Sequence, residues 1–445
     1  MSWAVFFAGV AGSERELMTG GSNARVLFLN RSYWPDMEAT GQLLTTLCEG
    51  LSDDFQVQVI AGQPNSIDPQ AKAAGWKNLH ARHDVEIRRL SHLQLPKRKI
   101  WMKAMNYVSF AISVRKALRR LSAPDVVVFE TDPFILAFEA NRLQKRTGCK
   151  MVGYLQDIHP DVGIALGKIS NSLWVRRLRE RLFAVYRRCD RMVVLSRDMK
   201  RLLEAGGVSG HKIDIIPNWA DTNAVQPVPE PNPFRQKHGL QGKFLVMYSG
   251  NLGLTQRLEE FVEAAEKLAD RQDIRFVFIG KGALELQLKN QVQSRGLQNV
   301  SFFDYQPKDQ LGDSLSAADL HLIPLTASLA QCLMPSKLYG ILAAGRPCLT
   351  NAPADSELHQ IISQQQVGLT VPPGSVAAIA ERIHWAANHR EELTELGRRA
   401  RQYAEGNCTP QISIELFRQT LHRVTSPVPH EPRPSGSDHR QFRTL

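Results

Sequence analysis

Two hydrophobic periods alternate along this chain from residue 25 onward. Val26-Leu27-Phe28-Leu29 is a continuous apolar run of the kind buried on both faces of a parallel sheet. A loop through Tyr33-Trp34-Pro35-Asp36 leads to a helix predicted over 40–51, and a second strand follows over 56–61. This is a β-α-β unit. Its first loop opens on a helix start at Ala39-Thr40-Gly41-Gln42, where glycine lets a ligand approach the backbone. Further strands are predicted at 85–90, 126–130, 150–155, 191–195 and 212–216, with helical stretches between most of them. The repetition implies a parallel, doubly wound sheet.

The pattern lapses at V-Q-P-V-P-E-P-N-P, which reads as a stiff connector over 225–234, and then resumes. Strands are predicted at 244–248, 274–279, 299–303, 320–323, 348–350 and 368–371. A helix over 256–270 places Leu258, Phe261, Val262, Ala265 and Leu268 on one face. A helical segment rich in Arg and Glu follows Glu391, and a last helix is predicted over 410–424. The organisation is therefore a domain over 24–224, a linker, a second doubly wound domain over 235–405 and a C-terminal helix within 406–425. Residues 1–23 hold an apolar run without the preceding positive charge of a secretory signal, and read as a disordered leader, with Met18 as an alternative start. Residues 426–445, with four prolines and almost nothing apolar, read as a disordered tail.

A length of 445 residues fits two domains better than one core. Hydrophobic residues make up 43% of the chain, with no apolar run of membrane-spanning length. The six cysteines are scattered without zinc spacing, so a reduced interior without metal is expected. The net charge of +11 is uneven: residues 24–224 hold 31 Lys and Arg against 20 Asp and Glu, whereas 225–445 hold 23 against 22. Two helical stretches concentrate the excess. Residues 97–120 set eight basic side chains around Trp101, Met105, Tyr107 and Phe110, and residues 174–188 set six arginines among Trp174, Leu178, Leu182, Phe183 and Tyr186. Such helices either bury their aromatics and solvate their charges or lie against an anionic membrane surface. Nucleic-acid binding is disfavoured, because the arginines come without a recognition motif.

Candidate chemistry gathers at M-P-S-K-L-Y-G-I-L-A-A-G-R-P, residues 334–347. Pro335 and Ser336 open a short helix, Ser336 as its cap, and Gly345 and Pro347 close it. Lys337, the helix dipole and unpaired first-turn amides offer one site for a phosphate or diphosphate. Other polar loops end strands at the same edge: Ser249-Gly250-Asn251-Leu252-Gly253, the pair Gly280 and Gly282, and Gln156-Asp157-Ile158-His159-Pro160-Asp161. Any one of them alone reads equally as an ordinary turn. Two doubly wound domains would bring them to a shared cleft at the carboxyl ends of the strands.

In combination these residues resemble a known family. The order S-G-N-L-G, a G-x-G strand end, A-A-D-L-H-L-I-P-L, P-S-K-L-Y-G-I-L-A-A-G-R-P and V-G-L-T-V-P-P-G is similar to the donor-binding half of GT-B glycosyltransferases of the large retaining family 4, group 1. I-P-N-W-A-D at 216–221 and the opening L-N-R-S-Y-W-P-D-M-E-A-T-G-Q are most similar to bacterial enzymes that build capsule, colanic acid or O-antigen, including the N-acetylfucosaminyltransferase-like group. The resemblance covers about residues 25–420. It implies a GT-B fold, two Rossmann-like domains facing across a cleft, and transfer of a sugar with retention from a nucleotide-sugar, UDP-linked, with no cofactor and no metal.

The resemblance also implies roles. Gly250, Asn251 and Arg257 would lie along the diphosphate, Gly280 and Gly282 near the nucleoside, and Ser336, Lys337 and Tyr339 at the phosphates. Thr40 and Gly41 would reach the diphosphate from the opposite domain. Asp157 or His159 would contact the transferred sugar or accept the acceptor proton. The implied acceptor is a glycan or a polyprenyl-diphosphate-linked glycan, met in the cytoplasm or at the inner face of the plasma membrane. Three positions depart from the family pattern. Its Glu-x7-Glu signature falls on Cys332 and Gly340, a common arginine is Asn251, and the usual histidine aligns with Gln156. The missing carboxylates leave a second expectation, a catalytically impaired scaffold of the same fold.

Overall fold

The computed structural model describes residues 24–67, 71–72, 75, 80–96, 100–253 and 256–426. The expected leader, the tail beyond Ser426 and the basic triplet Lys97-Arg98-Lys99 lie outside these residues.

Two sheets form the molecule. The first contains β1 (Arg25–Leu29), β2 (Gln56–Ala61), β3 (Ala81–Arg82), β4 (Val85–Arg89), β5 (Val126–Phe129), β6 (Lys150–Leu155), β7 (Arg191–Val194) and β8 (Ile213–Ile215). Their order across the sheet is β3-β4-β2-β1-β5-β6-β7-β8, parallel throughout except for β3 against β4. The second contains β9 (Phe244–Ser249), β10 (Ile274–Ile279), β11 (Val300–Phe303), β12 (Leu320–Leu322), β13 (Cys348–Thr350) and β14 (Gly368–Thr370). It runs β11-β10-β9-β12-β13-β14, all parallel. Central strands such as β5 are buried at every residue, as their unbroken apolar runs require. The order reverses between β1 and β5 in one sheet and between β9 and β12 in the other, and such switch points open a crevice at the strand ends.

The structure departs from the sequence reading in a few places. Strand β3 was not expected. It forms because His83 and Asp84 both take positive φ (46° and 60°), closing a two-residue hairpin without the usual glycine. The helix predicted over 256–270 is confined to Glu259–Lys267, since Arg257 sits at φ 46° and interrupts the helical turn before it.

The last helix, Pro410–Thr425, returns to the first sheet instead of completing the second lobe. Thr409 caps it by accepting from Ile412 N, and Phe417 packs its ring 6.1 Å from Phe28 and 5.2 Å from Tyr154. Arg418 donates to Gly50 O at 3.0 Å and Thr420 Oγ1 to Asp214 Oδ2 at 3.0 Å. The chain thus crosses between lobes twice. One apolar core runs on through the junction, taking in Trp219 from the first lobe and Leu338, Tyr339 and Cys408 from the second.

Candidate active site

Lys337 begins the short helix Lys337–Ala343, in the connection from β12 to β13 and so beside the second switch point. Ser336 precedes the helix but does not cap it. Its backbone is already helical (φ −60°, ψ −25°) where a cap residue is extended, its side chain accepts no first-turn amide, and the turn instead closes by Leu338 N donating to Pro335 O.

The ammonium of Lys337 is sealed from water, has no hydrogen-bond partner among the described residues, and lies 3.6 Å from the ring centroid of Tyr248. It also stands 3.3 Å from where a Cβ on Gly250 would be. Burial alone pushes its pKa down to about 7.

The glycine loop after β9 is held close to that lysine. Gly250 N donates to Ile279 O at 2.9 Å, and Leu252 N to Lys281 O at 3.0 Å, zipping the loop to the end of β10. Gly250 and Gly280 take φ 141° and 133°, and a Cβ on Gly280 would stand 2.1 Å from Gly250 O, so only glycine fits either position. A Cβ on Gly282 would likewise strike Leu252 O, at 2.3 Å. Asn251 is exposed at the loop tip and its carbonyl accepts from Tyr248 OH at 2.8 Å. Arg257 pairs with Glu260 at 2.6 Å, and Glu260 in turn accepts from Asn351 Nδ2 at 2.9 Å.

The first lobe meets this site at two points. Ile158 N donates to Cys332 O at 2.9 Å, and Asp157 forms a bridge with Leu333, so the loop after β6 rests on the segment leading into Lys337. Next to it, His159 Nε2 lies 3.3 Å from Asp157 Oδ2 while its ring stacks on Phe134 at 4.7 Å. Burial raises the Asp157 pKa, but His159, Thr131 and Lys103 outweigh it and hold the carboxyl below its ordinary value. The second contact is Lys308 Nζ donating to Gln42 Oε1 at 2.9 Å, across the groove at the start of the helix Ala39–Leu51. Thr40 is half-buried there. Gly41 packs so closely that a Cβ would stand 2.4 Å from Ser32 Oγ.

Behind that helix start, Arg31 binds Asp132 and Glu38 at 2.6 Å each, tying together the loops after β1 and β5. Burial opposes its charge, yet the two carboxylates hold the guanidinium above its usual value.

The structure therefore brings Gly250, Asn251, Gly280, Gly282 and Lys337 together, and the first-lobe loop that carries Asp157 and His159 rests on the segment leading into Lys337. Tyr339 is not among them. Two positions further along the helix is about 200° of rotation, and Tyr339 is buried in the junction core with Cys408, Tyr403 and Asn218 as neighbours. Gly340, where the family has a glutamate, faces open space except for Leu315 Cδ1 at 3.4 Å from an added Cβ. Sequence reasoning missed Tyr248, Phe134 and Arg31. Tyr248 was legible only as a strand residue, Phe134 as a loop residue without a motif, and Arg31 as one letter of the L-N-R-S-Y-W-P-D run to which no role was given.

Two Rossmann-like lobes with their switch points facing define the GT-B class, and comparison with known proteins agrees. Residues 232–403 match the model for glycosyl transferases group 1, and residues 40–224 match that for glycosyltransferase family 4. The probable glycosyltransferase WbjE of Pseudomonas aeruginosa is 30% identical over 73% of this chain and 80% of its own length. The putative colanic acid biosynthesis glycosyl transferase WcaI of Escherichia coli K12 is 27% identical over 88% of this chain and 98% of its own. Anabaena Alr3699/HepE, solved in complex with UDP, superposes with a TM-score of 0.68 at 14% identity, over 90% of this chain and all of that one. The chain belongs to the group 1 glycosyltransferases of family 4.

Proposed function

We propose that this protein transfers a sugar, with retention of configuration, from a UDP-linked donor to a lipid-diphosphate-linked glycan during surface polysaccharide synthesis. The observation that carries the reading is the sealed, unpaired ammonium of Lys337 beside Gly250. A buried cation without a partner is costly in an empty protein and is relieved by an anion. In the reaction the bond from the sugar's anomeric carbon to the diphosphate breaks, and a new one forms to an acceptor oxygen, whose proton leaves. The negative charge that grows on the departing diphosphate meets Lys337 and the Asn251 amide in a fixed position, which is how preorganised dipoles lower such barriers. Asp157 and His159 stand opposite, where they orient the transferred sugar or take the acceptor proton. The names of WcaI and of the UDP-bound HepE agree with this substrate class.

A test is turnover with a panel of UDP- and GDP-linked sugars. Lys337→Ala should weaken donor use by about a hundredfold, the scale of losing one charged contact to the leaving group. Asp157→Asn and His159→Ala should each lower kcat; unchanged rates in both would remove them from the mechanism. A scaffold reading rests on the absent glutamates at Cys332 and Gly340, and it predicts no thermal shift with any nucleotide sugar.

The acceptor side fits a membrane at the cytoplasmic face. On the helix Ile100–Arg119, Trp101, Met105, Val108 and Ile112 form one exposed stripe, and Leu173 and Trp174 are exposed at the start of the helix Leu173–Tyr186. Both lie among basic residues, the composition of an interfacial surface. Among the described residues no helix is long and apolar enough to cross a membrane. Replacing Trp101, Met105 and Trp174 by Ser should abolish sedimentation with anionic vesicles while leaving the melting temperature unchanged. Full retention on vesicles would remove the membrane from the reading.

A further inference from the structure

Tyr248 is the penultimate residue of β9 with its ring fully buried, a position that a strand of this kind fills with any large apolar side chain. Its surroundings are more specific than that. The ring face carries Lys337 Nζ at 3.6 Å, while the hydroxyl donates to Asn251 O at 2.8 Å. One side chain therefore touches both halves of the proposed diphosphate site, the lysine and the glycine loop.

Among the described residues, the titratable groups that act on this pair are Tyr305, which acts on Tyr248, and His321 on β12, which feels both Lys337 and Arg346. Burial holds His321 down to about 4, so it is neutral, and burial pushes the Tyr248 phenol well above its ordinary value, so it is neutral too. Among the described residues no carboxylate raises Lys337, and burial lowers it.

We propose that Tyr248 is a positioning residue for the donor: its ring seats the Lys337 ammonium next to Gly250, so that diphosphate binding fixes one solvent proton on Nζ. This rests on the donor site described above. A π face attracts a cation without neutralising it, and it leaves the N–H groups that do not face the ring to an anion. The ring is thus a weak holder that favours the charged lysine in the right place without competing with the donor. Burial alone brings Lys337 to about 7, so near neutrality the empty site holds a mixture of both forms, and the bound anion draws it to the charged one.

The test is UDP affinity of the full chain from pH 5.5 to 8.5, for the wild type and for Tyr248→Leu, Tyr248→Phe and Lys337→Ala. UDP's own titration is common to all four and cancels in the ratios. Tyr248→Leu should bind about three- to tenfold more weakly at pH 8.5 and approach parity at pH 5.5, because the ring matters where the free lysine has lost its proton. Tyr248→Phe keeps the ring and should follow the wild-type profile. A Leu-to-wild-type ratio that does not vary with pH, or a Phe variant that behaves like Leu, overturns the proposal.

Should the Leu variant fail to fold, calorimetry of UDP binding to the wild type at pH 8, in buffers of different ionisation enthalpy, decides instead. Uptake approaching one proton, lost in Lys337→Ala, supports the proposal, and no uptake overturns it. Unchanged UDP affinity in Lys337→Ala would overturn the donor site itself, a different outcome from any of these.

Discussion

An ammonium sealed over a phenol ring destabilises the empty fold, and this gives Lys337 a signature in stability as well as in binding. Burial lowers its pKa from 10.5 to about 7, so between those values the unfolded chain binds the proton that the folded chain releases. Stability from this group therefore rises with pH across that window, and the full penalty is present below it. Lys337→Met should raise the melting temperature by several degrees at pH 7, with the gain fading toward pH 10.5, while UDP binding weakens. Calorimetric melting against pH checks it, and a gain independent of pH would contradict the assignment. Gly340 offers a simpler test. It lies inside a helix with room for a methyl group, so Gly340→Ala should stabilise by about 0.5–1 kcal/mol in denaturant titrations.

Residue by residue, the site was partly legible. Lys337 stands out because P-S-K opens a helix, and Gly250 and Gly280 because glycine ends a strand. Tyr248 was hidden, since F-L-V-M-Y reads as uniform strand and its periodicity does not say which ring faces a lysine 89 positions on. Tyr339 was misplaced because a motif gives spacing along the chain, whereas its direction depends on about 100° of helix rotation per residue.

The elements were more legible than the contacts between them. Buried parallel strands leave long apolar runs, and β2, β6, β10 and β13 lie where those runs predict. Strand β3 and the shortened helix Glu259–Lys267 depend on positive φ at His83, Asp84 and Arg257, which these residue types do not signal. The glycine loop makes the next prediction. Gly280→Ala would drive a methyl group into Gly250 O and hold alanine at φ 133°, so both loop and donor site should be lost together. The variant should melt lower than the wild type and show no thermal shift with UDP; a normal UDP shift would mean that the two loops are not coupled.

The C-terminal helix Pro410–Thr425 has an amphipathic pattern, but nothing local says that it belongs with the first sheet. That follows from Phe417 filling the space between Phe28 and Tyr154. Phe417→Ala should cost about 3–5 kcal/mol, read as a lower urea midpoint, because it empties a core shared by the chain's two ends. A loss under about 1 kcal/mol would show the helix to be peripheral.

For the whole molecule, the decisive feature is that the candidate residues are divided between the two lobes. Gly250, Gly280 and Lys337 come from one sheet's edge, Asp157, His159 and Gly41 from the other's, and the lobes touch at Ile158–Cys332 and Gln42–Lys308. Doubly wound repetition in both halves was enough to anticipate the two parallel sheets. The two contacts themselves were not legible, since they join positions 174 and 266 residues apart whose pairing no local pattern encodes.

The most direct measurement is a crystal structure of the full chain with UDP bound. The account predicts the diphosphate between the lobes, with a phosphate oxygen about 3 Å from Lys337 Nζ and a second in reach of the Asn251 backbone N–H. A diphosphate seated elsewhere, with Lys337 still lying unpaired on Tyr248, would contradict it.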